Sequence, residues 1–519
     1  MLKSVGPLIC VIALLRGAPP PQQAPAAATF HSGTRLVEVE VVVRDKNGPV
    51  KGLTRDDFTV LDQGRTQSIA IFRASSSSTA ALAPAPLPAG AVSNRVDSRG
   101  EPLTGATVVL LDQLNPVLDL KGYARKGVTR LLRSLTATDR IALYSLGKDL
   151  HVLQDFTDDP QKLVEALSKL DPGLDLLPAD LETISQGLPD PSSIHTGDPV
   201  SDGLIRNSIA ATAGQEAANA ASIREDITVR ALRLIIQHLA GVTGRKNLVW
   251  LQQEPRIPTQ VMAMLLQANI SLYPVLIRGV GESGVLSGTF ASSGRLPALM
   301  GNAQCIECAR RHAVEDLGAA TGGAGFTDSL DLTTAMRTAE EDAANSYVLG
   351  YYPAEELLDG RYHKIAVKVP GRSLQLRYRP GYLATRTAPP MSTLSAQALL
   401  NDPLDSTGVG LSARILADPN TPGKRQIRLV IDLHDIHLES KGGQNTGEFE
   451  VVMANPFTHW SRSARIPINV SDAQLQQDLQ SGLTLTLSGV DPQTGEIHIA
   501  VRDRNTGAAG SLRVPLPKD

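Results

Sequence analysis

The chain has 519 residues, 42% hydrophobic and only 4% aromatic, with a formal net charge of −3 and a pI near 6.4. The length accommodates three or four domains at roughly 150 residues each. The near-neutral balance offers no basic footprint for a phosphate backbone, which argues against nucleic-acid binding, and the shortage of rings argues against recognition by stacking.

The N-terminus, MLKSVGPLICVIALLRGAPPPQQAPAAATF, combines Lys3, the apolar run PLICVIALL and the small-residue stretch APAAA. This is the pattern of an export signal, assigned to residues 1–28. The run is shorter than the roughly 20 apolar residues of a bilayer span. Arg16 directly after the run departs from the pattern, and Cys10 lies too early to be a lipid acceptor. The expectation is an exported chain, periplasmic, cell-surface or secreted, with no transmembrane span in its mature form.

Residues 29–73 read as a small β module. Val37, Val39, Val41 and Val43 recur at period two, and the chain turns at DKNG. Thr54 with Asp57 forms a capping box, with Leu53 and Phe58 at the staple positions. One helical turn then leads into a strand over 58–61, a DQG turn, and a strand over 67–72. Residues 74–104 are rich in Ser, Ala and Pro and read as a linker.

From Ala106 strands alternate with helices. ATVVLLD and DRIALYSLG are apolar runs suited to strands buried on both faces. LDLKGYARKGVTRLLRSL is amphipathic, and DPQKLVEALSKL carries Pro160 in its first turn. A polar insertion over 171–202 precedes the helix EDITVRALRLIIQHLAGV, which ends at Gly241. NLVWL and ISLYPVLI read as strands, with helices in IPTQVMAMLLQAN, ARRHAVEDLGAATGG and LDLTTAMRTAEEDAA. AGF reads as a short strand. Such alternation predicts an α/β domain over 105–345, a doubly wound, mostly parallel (Rossmann-like) sheet covered on both faces.

Residues 346–384 return to β patterning and are expected to pair with 29–73, since neither segment is large enough for a core of its own. Residues 385–408 read as a second linker, and 409–519 as a C-terminal β-sandwich-like domain of six short strands.

Of the three cysteines, Cys305 and Cys308 remain after the signal, in AQCIECARRH. In an exported chain the pair suits a disulfide or free thiols. A lone CxxC is half of a zinc site, and His312 adds a single imidazole. A thiol–disulfide activity would need the pair to open a helix, as CARRHAVEDLGAATGG allows.

The segments LVEVEVVVRDKNGPVKGLTRDDFTVLDQGRTQSIAIF, VVLLDQLN, GRKNLVWL, ATGGAGF and SYVLGYYP, followed by DGRYHKIAVKV and LRYRPGYL, stand in that order. Together they resemble the von Willebrand factor type A-related proteins abundant in Acidobacteria, over roughly residues 34–383. The resemblance implies an exported protein with a type A-like α/β domain and no known catalysis. It also implies a place to look for a metal. In metal-binding type A domains the first strand ends in Asp-x-Ser-x-Ser, and a later Thr and an Asp after the fourth strand complete a shell for Mg²⁺. Here Asp112 matches the first residue, but Leu114 and Pro116 occupy the serine positions, and NLVWLQQEP puts Gln252 or Gln253 at the aspartate, with Glu254 next. A hard cation requires a near-octahedral set of oxygens, and one carboxylate with amides falls short. Asn115 and Glu254 are substitute ligands in the alternative reading, where Mg²⁺ is held by a metal-dependent adhesin. In the reading preferred here Asp112 caps the loop or the following helix, and Asn115 is a turn residue.

Other motifs are weaker. No GxSxG elbow is present to support a hydrolase, and GVTGRKN lacks the phosphate-loop spacing. His434 and His437, in HDIH, are read as lying in a strand on opposite faces. His363 and His459 are read as exposed strand histidines, and the AEED run ending at Asp342 as a solvated helix face. Tyr347, Tyr351 and Tyr352 are read as covering a β edge rather than anchoring a partner. The expected function is an exported, non-enzymatic interaction module. It would meet an unknown protein or cell-surface partner through the degenerate adhesion-site loops at Asp112, Asn115, Gln253 and Glu254, without a required cofactor. The alternatives are a thiol–disulfide protein using Cys305 and Cys308, and a metal-dependent adhesin.

Overall fold

The computed structural model describes residues 36–75, 87–95, 104–114, 123–133, 140–170, 195–252, 257–277, 311–327, 332–354, 359–370, 374–384, 395–458, 460–490 and 495–516. The expected signal, Asn115, Gln253, Glu254, Cys305, Cys308 and His459 lie outside these residues.

The described residues begin with β1 (Val37–Asp45), β2 (Gly48–Pro49), β3 (Thr59–Asp62), β4 (Arg65–Gln67) and β5 (Ile71–Ala74). The turn between β3 and β4 places Gln63 and Gly64 both at positive φ, 49° and 80°, a backbone that suits a tight hairpin and favours glycine. The single strand expected over 67–72 is instead two. β4 pairs with β3, whereas β5 pairs with β12 (Ser346–Tyr351) of another sheet. The chain changes sheets around Ile69, which is buried between them.

The short β6 (Ala91–Ser93) comes next, then β7 (Thr104–Asp112), α1 (Tyr123–Arg133), β8 (Ile141–Leu146), β9 (Leu150–Thr157) and α2 (Pro160–Lys169). Asp159 caps α2 by accepting from Gln161 N at 2.9 Å, with Pro160 at the first helical position. α3 (Pro199–Leu239) is far longer than the periodic stretch that signals it and begins inside the expected insertion. Its first half is Ala-rich, which favours helix without leaving an apolar stripe. β10 (Thr243–Gln252), α4 (Thr259–Gln267), β11 (Ile270–Leu276), α5 over 311–320 and α6 (Leu332–Ala344) complete the α/β domain. The AGF segment contributes a single parallel bridge, Phe326 to Val275. Beside it Gly323 is obligatory, because a Cβ there would lie 2.0 Å from Leu272 O.

The central sheet has the order β11-β10-β7-β8-β9. β11, β10, β7 and β8 are parallel, and β9 is antiparallel to β8. Alternation along β7 divides the core. Val108 and Leu110 face a cluster with α3 and α4, while Val109 and Leu111 face a second cluster with α1, α2 and α6. Because the chain leaves β7 towards β8 and later returns to add β10 on its other side, the strand order reverses at β7. The carboxyl end of that strand is therefore the topological switch point, where open α/β sheets offer a crevice.

After β12 come β13 (Tyr362–Lys368), β14 (Gln375–Arg377) and β15 (Gly381–Leu383). They interleave with the N-terminal strands. One sheet runs β14-β1-β12-β5, with β2 on β1, and the other β15-β13-β3-β4. Val39, Val41, Phe58, Val60, Tyr347, Leu349, Ile365 and Val367 share the core between them. The two segments thus meet in space, with the α/β domain inserted in sequence between them.

The last part contains α7 (Ala396–Leu399), β16 (Leu411–Ala417), β17 (Arg425–Ile431), β18 (Glu439–Lys441), β19 (Gln444–Asn455), β20 (Trp460–Ser471), α8 (Asp472–Ser481), β21 (Leu483–Val490), β22 (Glu496–Asp503) and β23 (Ala509–Pro515). Two antiparallel sheets, β21-β17-β16-β6 and β18-β19-β22-β23 with β20 on β19, enclose one core. β20 was not legible as a strand, since its Ser, Arg and Pro residues are mostly exposed. β6 falls within the segment read as a linker. It docks on β16, and Asn94 fastens it: the side chain donates to Ser406 O and Val409 O at 2.8 and 2.9 Å and accepts from Leu411 N at 2.8 Å. Its burial comes from a distant partner rather than from apolar content of its own. HDIH is not in a strand. Leu433–Asp435 form a 3₁₀ turn capped by Asp432, which accepts from His434 N at 3.0 Å.

Candidate functional site at the carboxyl edge of the parallel strands

Asp112 closes β7 at the switch point and is fully buried. Its Oδ1 accepts from Leu114 N at 2.9 Å, which turns the chain locally, and its Oδ2 accepts from Trp250 Nε1 at 3.2 Å. Trp250, on neighbouring β10, is itself buried in the α3/α4 core. Gln113, next in sequence, donates through its amide to Ser145 Oγ on β8, and its N–H bonds Leu146 O at 2.8 Å. Leu114 is buried in the core.

Among the described residues this donor set does not fit a hard cation. Asp112 spends each oxygen on a protein N–H. Leu114, at a position where type A metal sites place a hydroxyl, presents hydrocarbon to the core, and the hydroxyl of Ser145 is paired with Gln113. Among the described residues no group of three or more His, Cys, Asp or Glu side chains converges on one point. Gln252, at the end of β10, is fully buried, and neither end of its amide has a hydrogen-bond partner, although its main-chain oxygen accepts from Ile277 N at 2.8 Å. An orphaned buried amide costs about 1–3 kcal/mol. Among the described residues, the carboxyl edge of the sheet therefore holds a carboxylate engaged in building the loop and an amide without a protein partner.

No protein-family model matches the chain, and no curated protein matches it. Among solved structures it is similar to an aerotolerance-related membrane protein from Bacteroides fragilis at 11% identity, covering 33% of this chain and 67% of that one, with a TM-score of 0.18. It is similar to a von Willebrand factor type A protein from Catenulispora acidiphila at 12% identity, covering 81% and 68%, and to three N-terminal domains of a type V pili tip protein from Porphyromonas gingivalis at 12% identity, covering 94% and 78%, each with a TM-score of 0.18. The fold rests on the strand order and pairing of this chain.

Several motifs read as bland surface are buried joints. At the opposite edge of the sheet, the residues GRKN follow the end of α3 and lie in a strand. Arg245 and Lys246 belong to β10. Arg245 donates to Tyr273 OH and Gly322 O, both at 2.9 Å, and stands 3.6 Å from Glu40 of β1. Tyr273 OH donates to Asp342 at 2.9 Å. Asp342, read as part of a solvated face, is fully buried and also receives Arg44 at 2.8 Å and Arg377 at 3.0 Å. These contacts tie α6 to the neighbouring β module. Lys246 is 8% exposed, and burial brings its ammonium down to about 8 despite Glu40 and Glu38.

His363 is likewise not exposed. It is buried, with Nδ1 3.2 Å from Asp62 and Nε2 3.1 Å from Asp359. Asp62 also accepts from Tyr351 OH at 2.9 Å and Tyr382 OH at 2.7 Å. Of the three tyrosines near position 350, Tyr347 and Tyr351 are core residues, and Tyr352 is half exposed. His312, on α5, is exposed and lies 3.7 Å from Glu315. Nothing in the residue types marked these clusters in advance, because each cluster includes a partner from a segment roughly 70 to 300 positions away.

Proposed function

We propose that this chain is an exported, non-enzymatic interaction protein built on a von Willebrand factor type A-like α/β domain. It meets a protein or surface partner through the carboxyl edge of its parallel strands, without a resident divalent cation. The observation that carries this reading is the double engagement of Asp112 by Leu114 N and Trp250 Nε1, which turns this carboxylate at the switch point into a structural element. The unpartnered amide of Gln252 at the same edge supports recognition by shape and neutral hydrogen bonds rather than by a metal-bridged carboxylate. Export rests on the N-terminal pattern; among the described residues no helix is long and apolar enough to cross a membrane.

Calorimetry with Mg²⁺ and Mn²⁺, paired with capture of partners from the native envelope by the mature chain, tests the proposal. No heat of cation binding is expected, and capture is expected to withstand chelation. Saturable binding of either ion that Asp112→Ala abolishes would overturn it.

A further inference from the structure

The C-terminal β module meets the α/β domain at the end of α3. Leu404 enters the core of the α/β domain. Thr407 N donates to Gln237 O at 3.1 Å; its hydroxyl donates to His238 O at 2.6 Å and accepts from Gly241 N at 2.8 Å. The fit is tight enough that a Cβ on Gly241 would lie 2.0 Å from Thr407 O. At the centre is the ring of His238, 5% exposed and stacked on Phe156 with a centroid separation of 5.4 Å.

Both ring nitrogens of His238 face groups that can only accept. Nδ1 lies 2.6 Å from the main-chain oxygen of Asp405, and Nε2 lies 3.3 Å from the carboxylate of Asp155 on β9. A neutral imidazole carries one N–H and would turn a lone pair towards one of these oxygens; the imidazolium satisfies both. We propose that His238 is a proton-operated latch: as imidazolium it clamps the C-terminal module to the α/β domain, and loss of its proton releases the 404–407 segment.

The surrounding charges favour this. Tyr144 OH on β8 and Phe156 N donate to the same oxygen of Asp155, at 2.9 Å each, and hold it in place. The Asp405 carboxylate lies 3.4 Å from Arg513 of β23, and His498 of β22 bears on it from the same module. Burial alone would lower the His238 pKa, but the charge and hydrogen bonds of Asp155, with those of Asp405, carry it above the ordinary value. The latch is therefore closed below about pH 6.5 and opens as the pH rises through the elevated value.

Hydrogen exchange of the full chain, corrected for the intrinsic pH dependence, reads the latch at the Thr407 and Gly241 amides. Their protection is expected to fall with rising pH, by about tenfold for each unit by which the His238 pKa is elevated. The fall should vanish in His238→Gln. Asp155→Asn, a change at a half-exposed side chain, should keep the fold and move the midpoint downward. Magnetic-resonance titration of the ring supplies the second measurement, with a midpoint above 6.5 expected. A ring midpoint at or below that value, or protection at Thr407 that falls equally in wild type and His238→Gln, would overturn the proposal.

Discussion

The α/β domain is joined to its two neighbours by buried polar clusters of different chemistry. The joint to the first β module uses arginines: Arg245, Arg44 and Arg377 converge on Glu40, Asp342 and Tyr273. The joint to the C-terminal module uses a histidine between an aspartate and a main-chain oxygen. Guanidinium keeps its charge at every pH a protein meets, whereas imidazole changes charge near neutrality. The arginine cluster of the first joint is permanent by this chemistry, and the histidine of the second is conditional. The topology differs in degree. The first module is built from strands on both sides of the α/β domain in sequence, so the chain is committed to it twice. The C-terminal module also borrows a strand from before the α/β domain, but this is the three-residue β6 docked on β16, and among the described residues the module meets the domain through the 404–408 segment.

The contrast can be broken most forcefully at Asp342. Asp342→Ala leaves two arginines and a tyrosine hydroxyl without their shared acceptor in a buried site, and a loss of about 3–5 kcal/mol is expected in denaturant unfolding. That loss should not vary between pH 5 and 9 beyond the wild-type trend, since the arginines do not titrate there. A loss below about 1 kcal/mol would mean that the joint is hydrated and that its charges matter little.

Asn94→Ala attacks the strap. It strands Val409 O and Leu411 N and leaves Ser406 O with Ser511 N as its donor, and about 2–3 kcal/mol of stability should be lost. Proteolytic susceptibility near residues 87–95 should rise with it; unchanged cleavage would show that β6 is held without this side chain. His238→Gln sharpens the comparison through its sign. The folded pKa lies above the unfolded one, so the contribution of His238 is complete below about pH 6.5 and is lost as the pH rises through the folded value. The wild type should exceed the variant by about 1.4 kcal/mol per unit of elevation at pH 6 and converge on it in alkali; a gap that widens with pH would reverse the assignment. At the small end, Arg73→Ala removes an exposed pair with Glu38, 62% and 37% exposed. A change within about 0.5 kcal/mol is expected in thermal melts.

Much of the architecture was legible locally. Val108 to Leu111 announce a strand buried on both faces, and Pro160 after Asp159 announces a helix start, because burial on two faces and helix capping act within a few residues. The lack of a hydroxyl at Leu114 was legible too, since a leucine cannot ligate a cation wherever the chain places it. The fate of the Asp112 carboxylate was not, because its second donor, Trp250, stands 138 positions away. The same holds for Asp342, His363 and His238. A charged side chain on a strand or helix has the same identity whether it faces water or a buried partner, and only the meeting of distant segments selects between them.

By itself, then, the order of residues determined the alternation of strands and helices, the two-faced burial of β7 and the lack of hydroxyl ligands after Asp112. The tertiary structure alone decided that 87–95 is a strap, that α3 starts at Pro199, and that three histidines, His238, His363 and His498, each lie between two acceptors. The physical reason is range. Periodicity and capping are satisfied by neighbours in the chain, whereas a buried charge is satisfied by whatever the fold brings to it.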